Sequence, residues 1–377
     1  MPNILAGALD VLREECALAQ MVNKNFDNTE GKIGQTVNIA KSQVLTTAAV
    51  TPAAVPPNPV DITLGYTQIT INTWQKATFY MNVQDATFFQ SGMIIPLQMK
   101  EAVRALAKKL NNDLFALHTN IYSATGTAGT NPFATNVNPV ADVKKLLDDQ
   151  YVSQSGRALI LGHAEVAAGL KTQDLKYMLY AGDNNALRRG ALGGLYGFET
   201  AIDGLVPTFV AGTYTGTVTA NGVNALAATV FSFATAGASS LTGKVGDIFT
   251  KAGDSQQYVL TSTITIGAST NGTANIQPPL QVATAGGEAI TFLTTTGASY
   301  RVNIGGDLTG IGLVMRVPPS SVEGGPIYGN HMSMTDPVTG MSIKLSQLPG
   351  YHLSQWEVSI MYGMAMIDPR KFVKLLG

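Results

Sequence analysis

Four histidines, one cysteine and a few carboxylate and glycine clusters are the residues of this 377-residue chain whose types could carry chemistry. None of His118, His163, His331 and His352 stands four residues from another, the spacing that sets two imidazoles on one helix face around a metal. His163-Ala164-Glu165 has the His-x-Glu half of the zinc-deaminase pattern, but the cysteine pair that would complete the ligand set is absent. It reads as a helix start after a strand. Cys16 stands alone, which excludes an internal disulfide and a cysteine-based zinc cluster. It falls on the apolar side of a helical stretch, the position of a buried structural thiol. Gly190, Gly193, Gly194 and Gly197 make a flexible loop without the Lys-Ser/Thr that ends a phosphate-binding loop. Gly243-Lys244 runs on into Val245, again without that pattern. Asp142, Asp148 and Asp149 read as the solvated face of a helix rather than a carboxylate pair. Asn271-Gly272-Thr273 matches a glycosylation triplet and reads as a turn. Trp74 and the other aromatic residues lack the interleaved basic residues of a single-strand binding groove. The expectation is no catalytic, cofactor-binding or metal-binding residue, no cofactor, and no enzyme, although a site assembled from distant residues leaves no motif.

Composition points the same way. The chain is 45% apolar, enough to build real cores, yet only 13% charged, with 39 glycines. The usual charged share is about 25%. So little charge suggests that much of the surface meets other protein. A Gly/Thr/Ala-rich secreted β protein is the alternative. A net charge of −1 argues against a dedicated nucleic-acid binder. The first residues lack a basic region followed by an uninterrupted apolar one, and no run of 18 apolar residues occurs, so neither a secretory leader nor a membrane span is expected.

Residues 3–20 repeat Leu5, Leu9, Leu12, Cys16 and Ala19 at helical spacing. Residues 46–59 carry Pro52, Pro56, Pro57 and Pro59 and cannot nucleate a helix. They read as a projecting arm flanked by β-like segments, with a disordered linker as the alternative. Residues 66–83 alternate as a strand. The strongest element runs from about 94 to 121, where Met99, Val103, Leu106, Leu110, Leu114, Leu117 and Ile121 form one apolar stripe. Asn138-Pro139 starts a helix with Asn138 as its cap. A short buried strand at 157–161 and a helix from His163 follow, which implies a compact mixed domain. From Gly212 to Thr296 charge nearly vanishes and short alternating stretches take over, the pattern of an all-β module. Long alternation returns at Trp356, Val358, Ile360, Tyr362, Met364 and Met366, and this last strand is expected to pair with the 66–83 strands.

This order of elements resembles the major capsid proteins of tailed phages with the Hong Kong 97-like fold, and within them the coat proteins of short-tailed phages of the P-22 type, which carry an insertion domain. Residues 94–121 look like the spine helix and 28–64 sit where the extended E-loop falls. Lys244-Val245-Gly246-Asp247-Ile248-Phe249 and Gln257-Tyr258-Val259-Leu260 are similar to the insertion domain's strands. Ser359-Ile360-Met361-Tyr362-Gly363 with Asp368-Pro369 resembles the closing strand and tail. The resemblance implies an α+β chain with an N-terminal arm helix (1–27), an E-loop (28–64), a peripheral domain (65–135) and a first axial part (136–211). An inserted barrel-like all-β domain (212–296), a second axial part (297–345) and a closing peripheral strand with the C-terminus (346–377) complete it. It further implies hexamers and pentamers of the chain itself in an icosahedral shell around double-stranded DNA, held without sequence reading. A separate scaffolding protein, a portal protein, assembly in the host bacterial cytoplasm and residence in the virion belong to the same expectation, and a membrane does not. The alternatives are an encapsulin-like cargo cage and a secreted β-rich adhesin or carbohydrate-binding protein.

Overall fold

A computed structural model describes residues 17–24, 33–41, 50, 52, 65–84, 91–176, 190, 192–319, 321–322, 325–326, 328–336 and 340–377. Cys16, most of the 3–20 helix and all but two residues of the 46–59 arm lie outside them. In chain order the described elements begin with α1 (Ala17–Met21), β1 (Thr36–Lys41), β2 (Gly65–Thr70), β3 (Thr73–Asn82), α2 (Ser91–Ala116) and β4 (Ala124–Gly126). Next come α3 (Pro139–Asp149), β5 (Arg157–Leu161), α4 (His163–Gly169), α5 (Gln173–Lys176), β6 (Glu199–Ile202) and β7 (Thr208–Val210). Nine short strands follow: β8 (Thr213–Thr215), β9 (Val218–Ala220), β10 (Val230–Thr235), β11 (Ser240–Gly243), β12 (Ile248–Lys251), β13 (Tyr258–Leu260), β14 (Ile264–Ile266), β15 (Asn271–Gln277) and β16 (Ile290–Phe292). The rest are β17 (Ser299–Asp307), β18 (Ile311–Arg316), two two-residue strands β19 (Ser321–Val322) and β20 (Gly325–Pro326), β21 (Asn330–Thr335), β22 (Ser342–Gly350), β23 (Leu353–Met366) and β24 (Phe372–Leu376). The described residues are thus mixed, with many strands and few helices.

Contacts divide it into two units. One takes Met1–Leu9, Lys24–Leu106 and Ile311–Ile367; the other takes Asp10–Asn23, Ala107–Gly310 and Asp368–Gly377. The sequence reading places its later divisions at 296 and 345 instead. The chain re-enters the first unit at Ile311 because β18 pairs with the end of β23, from Ile311 opposite Met366 to Arg316 opposite Met361.

The first unit is organised by β23, a strand of 14 residues. One edge of it pairs with β22, which pairs with β21. β18 continues that same edge along the second part of β23, while the opposite edge takes β3, Leu353 opposite Asn82 through Tyr362 opposite Thr73, so that Met361 and Tyr362 have a partner on both sides. The pairing of the closing strand with the strands after residue 65, expected from alternation, is therefore present. The 66–83 stretch is two strands rather than one, interrupted at Ile71 and Asn72. Ile71 donates its amide to Gln35 and accepts from Gly34, which turns the chain from the β1–β2 hairpin into β3.

The long helix α2 has 26 residues, about 39 Å at about 1.5 Å per residue. Met99, Val103, Leu106, Ala107, Leu110 and Leu114 are buried along it at steps of three and four. It stops at Ala116, short of the expected 121, and tightens into a 3-10 turn at Leu117–Asn120.

In the second unit a mixed sheet runs β4-β24-β17-β5-β6, with β7 also on β17. β5 and β24 are buried at every position, as strands covered on both faces must be. Val140, Val143 and Leu147 of α3 pack on Leu159, Leu161, Val373 and Leu375. Gly305 lets α3 approach: a Cβ there would lie 2.9 Å from Val143 Cγ1. Pro139 does occupy the first turn of α3, but Asn138 is itself helical and makes no side-chain cap. Asn136 takes the Asn138 amide instead, at 3.1 Å.

Residues 213–292 form their own sheets, β16-β12-β13-β15-β10-β9 and β14-β11-β8, all antiparallel. Both contribute to one core, where Phe231, Phe233, Phe249, Tyr258 and Phe292 meet Leu241, Ile264 and Ile266. Phe249 touches four of these rings at centroid distances from 5.3 to 6.0 Å.

Candidate functional site at the root of the β module

Alternation along the β12–β13 pair sends side chains to two cores. Phe249 and Tyr258 enter the module's own core, whereas Ile248 and Val259 pack with Tyr122, Ala124, Tyr300, Val302 and Leu376 of the mixed sheet. The β module is thus seated on the sheet by an apolar contact, and ionisable groups gather around it.

Lys374 is the exception in the apolar run Phe372-Val373-Lys374-Leu375-Leu376, and its side chain is 1% exposed. Its Nζ donates to the Gly246 carbonyl at 3.1 Å, so the sheet grips the loop that leads into β12. Burial pulls the ammonium's pKa down to about 7, against the attraction of Asp247. Asp247, 3% exposed, closes that loop. Its carboxylate accepts from the Lys244 amide at 2.8 Å and from the Gly212 amide at 3.0 Å. Burial raises its pKa despite those two donors and the charges of Lys374 and Lys244. Residue 212 has to be glycine, because a Cβ would run into this carboxylate and the Thr242 carbonyl. Lys244 returns the grip, its Nζ donating to the Val210 carbonyl at 2.9 Å.

His118 completes the cluster from the 3-10 turn after α2. Its ring stands edge-on to Phe209 at 5.5 Å, and Phe209 lies 5.6 Å from Tyr300. Burial, and then the Lys374 charge, bring the imidazole pKa down to about 3. The Tyr300 hydroxyl is pushed up by burial and by Asp247.

On the edge of the sheet, Gln257 behaves as a substitute strand. Its side-chain oxygen accepts from the Ala124 amide at 2.7 Å and its Nε2 donates to the Ala124 carbonyl at 3.0 Å. Gln257→Ala leaves both backbone groups without a partner, and a loss of about 1–3 kcal/mol is expected. The urea midpoint of the purified chain measures it; an unchanged midpoint would show that water replaces the amide at no cost.

The arrangement is a fixed joint rather than a reaction centre. A lysine with a depressed pKa often marks catalysis, but Lys374 is closed in and bonded to a carbonyl. The residues singled out by type are scattered. His331 bonds Ser346 at 2.9 Å, and His352 sits in the turn between β22 and β23. Glu165 is 2% exposed with Arg301 3.9 Å away. Asp148 pairs with Arg157 at 2.7 Å. Gly190, Gly193 and Gly197 all have positive φ, as a loop of tight turns requires. Asn271-Gly272-Thr273, read as a turn, instead opens β15, because the ladder with β10 overrides local turn preference. Among the described residues no group of three or more His, Cys, Asp or Glu side chains is placed to hold a metal ion, and no helix is long and apolar enough to cross a membrane. Sequence reasoning passed over Lys374, Asp247 and Gln257 as site residues; the signal for the first was a charge inside a five-residue strand otherwise apolar throughout.

No protein-family model and no curated protein matches the sequence. Solved structures do. A structure from Mycobacterium phage Che8 is 11% identical with a TM-score of 0.51, covering 96% of this chain and 91% of that one. A capsid structure of the cyanophage P-SCSP1u is 10% identical at a TM-score of 0.48 over 96% and 86% of the two chains. The mature capsid of bacteriophage PhiM1 gives 10%, 0.47, 96% and 87%. At such identity the likeness to the first of these speaks for the fold. The chain thus shares its fold with the Che8 phage structure over nearly the whole of both chains.

Proposed function

We propose that this chain is a major capsid protein, a shell subunit that assembles with copies of itself. The observation that carries the reading is an end-to-end likeness of fold, over 96% of this chain and 91% of the Che8 phage chain. The low charge supports it, since a subunit surrounded by neighbours needs less of its surface in water. In this reading residues 28–64 are the E-loop, α2 is the spine helix, and 212–296 is an inserted barrel-like domain whose root is the Lys374–Asp247 joint. The chain makes hexamers and pentamers of an icosahedral shell, assembled in the host bacterial cytoplasm with a separate scaffolding protein and a portal protein. Packaged double-stranded DNA meets the inner face without sequence reading. The subunit takes no cofactor and catalyses no reaction.

Negative-stain microscopy of the purified chain, expressed alone and with a candidate scaffolding protein, tests this. Closed shells or ring-shaped capsomers are expected, uniform only with the partner. A stable monomer under every condition overturns the shell reading, and uniform shells from the chain alone overturn the scaffolding requirement.

A further inference from the structure

The first unit ends on an open strand. Among the described residues β3 pairs with β23 and with nothing on its other side. Val83 donates its amide to the His352 carbonyl, so the odd-numbered backbone groups of this strand face β23. The even-numbered ones, at Trp74, Lys76, Thr78 and Tyr80, point outward as unused donors and acceptors. The side chains of the same four residues are exposed, Tyr80 at 71% and Trp74 at 42%. Sheets protect such edges with proline, a bulge, short length or free lysines. β3 is 10 residues long and has no proline. Its Lys76 is turned onto Glu357 of its own sheet at 3.3 Å.

We infer that β3 is an assembly edge, and that it pairs antiparallel with β3 of a second copy about a two-fold axis at Ala77. This rests on the shell reading and names one of its contacts. The side-chain order is what selects a second copy. Trp74 and Tyr80 stand equally far before and after Ala77, so the two-fold sets each Trp74 opposite the other copy's Tyr80, and aromatic cross-strand pairs are favourable. Lys76 and Thr78 are equidistant too, so each lysine meets a threonine. Moving the register back until Lys76 faces Lys76 places like charges directly opposite and loses both aromatic pairs. The outward donors and acceptors of one edge match those of the other, as an isologous contact requires.

Cross-linking tests it on the full chain in a Cys16→Ser background, which removes the native thiol. Residues 77 of the two copies would form a non-hydrogen-bonded pair with Cα atoms about 4.5 Å apart, within disulfide reach. Ala77→Cys should therefore yield a disulfide-linked dimer from most of the oxidised protein in shells. Thr73→Cys, which would face Met81, should yield none. Thr78→Pro removes an outward amide without touching the ladder to β23. It should cut assembly at least tenfold while the circular dichroism of the free chain stays as in wild type. Absence of the Ala77→Cys dimer, or normal assembly of Thr78→Pro, overturns the inference. Should Thr78→Pro fail to fold, the cross-link decides alone. A wild-type chain that forms no shells defeats the shell reading and leaves the edge to be judged separately, by whether the Ala77→Cys dimer forms in solution.

Discussion

Asp247→Ala should cost the fold about 3–5 kcal/mol, the range for removing one partner from a buried charged network. The carboxylate satisfies the amides of Gly212 and Lys244, and it is the negative group that faces the Lys374 ammonium from the loop before β12. Truncation leaves two buried donors unmet and one buried cation uncompensated. Against a total stability of about 5–15 kcal/mol this is a large fraction. Hydrogen exchange of the amides in 244–251 and 372–376 reads the loss where it arises. Adding Lys374→Met should recover part of it, because an uncharged apolar side chain of similar length no longer needs the missing charge. If Asp247→Ala exchanges as slowly as wild type, the joint contributes nothing and the apolar contact of Ile248 and Val259 alone seats the module.

The elements of this fold were legible in the sequence where local period decided them. Apolar steps of three and four gave α2, whose buried residues Met99, Val103, Leu106, Leu110 and Leu114 are the ones the stripe contains. Alternation gave β3 and β23, and even their pairing, because two long half-buried strands in one chain are each other's natural cover. The drop in charge after residue 212 marked a stretch of short strands with a core of its own. Other features were not written locally. The break between β2 and β3 depends on hydrogen bonds to Gln35 and Gly34, more than 30 positions away. The joint could not be found by motif, since Gly212, Asp247 and Lys374 are brought together only by the sheet order. A lysine in an apolar strand and an aspartate between glycine and isoleucine each look like accidents of composition until the backbone groups they satisfy are known. The open edge of β3 is different again: its side-chain order was visible from the start, but which backbone groups face outward follows only from the Val83–His352 bond.

His118 should make the protein sensitive to acid in one window, and His118→Phe should remove that sensitivity. The folded imidazole pKa is held near 3 by burial and by Lys374, whereas an unfolded histidine keeps about 6.5. The folded state thus binds the proton more weakly than the unfolded state, and stability must rise with pH between these two values. Read downward, stability is complete above pH 6.5 and is lost as the pH falls toward 3. The full difference is about 5 kcal/mol, from about 3.5 pKa units at about 1.4 kcal/mol each. Lys374 has its own window, between about 7 and the ordinary 10.5, so it adds no slope below pH 6.5. Carboxylates elsewhere also titrate on the acid side, which is why the variant matters. Phenylalanine keeps a ring edge-on to Phe209 and cannot take a proton. The quantity to measure is the urea midpoint of wild type and His118→Phe at intervals from pH 7.5 to 3.5. The gap between the two proteins should widen in favour of the variant as the pH drops. A gap that stays constant over this range would mean that His118 takes up its proton without opening the joint, and that water reaches a ring which the packing of Phe209 and Tyr300 otherwise excludes.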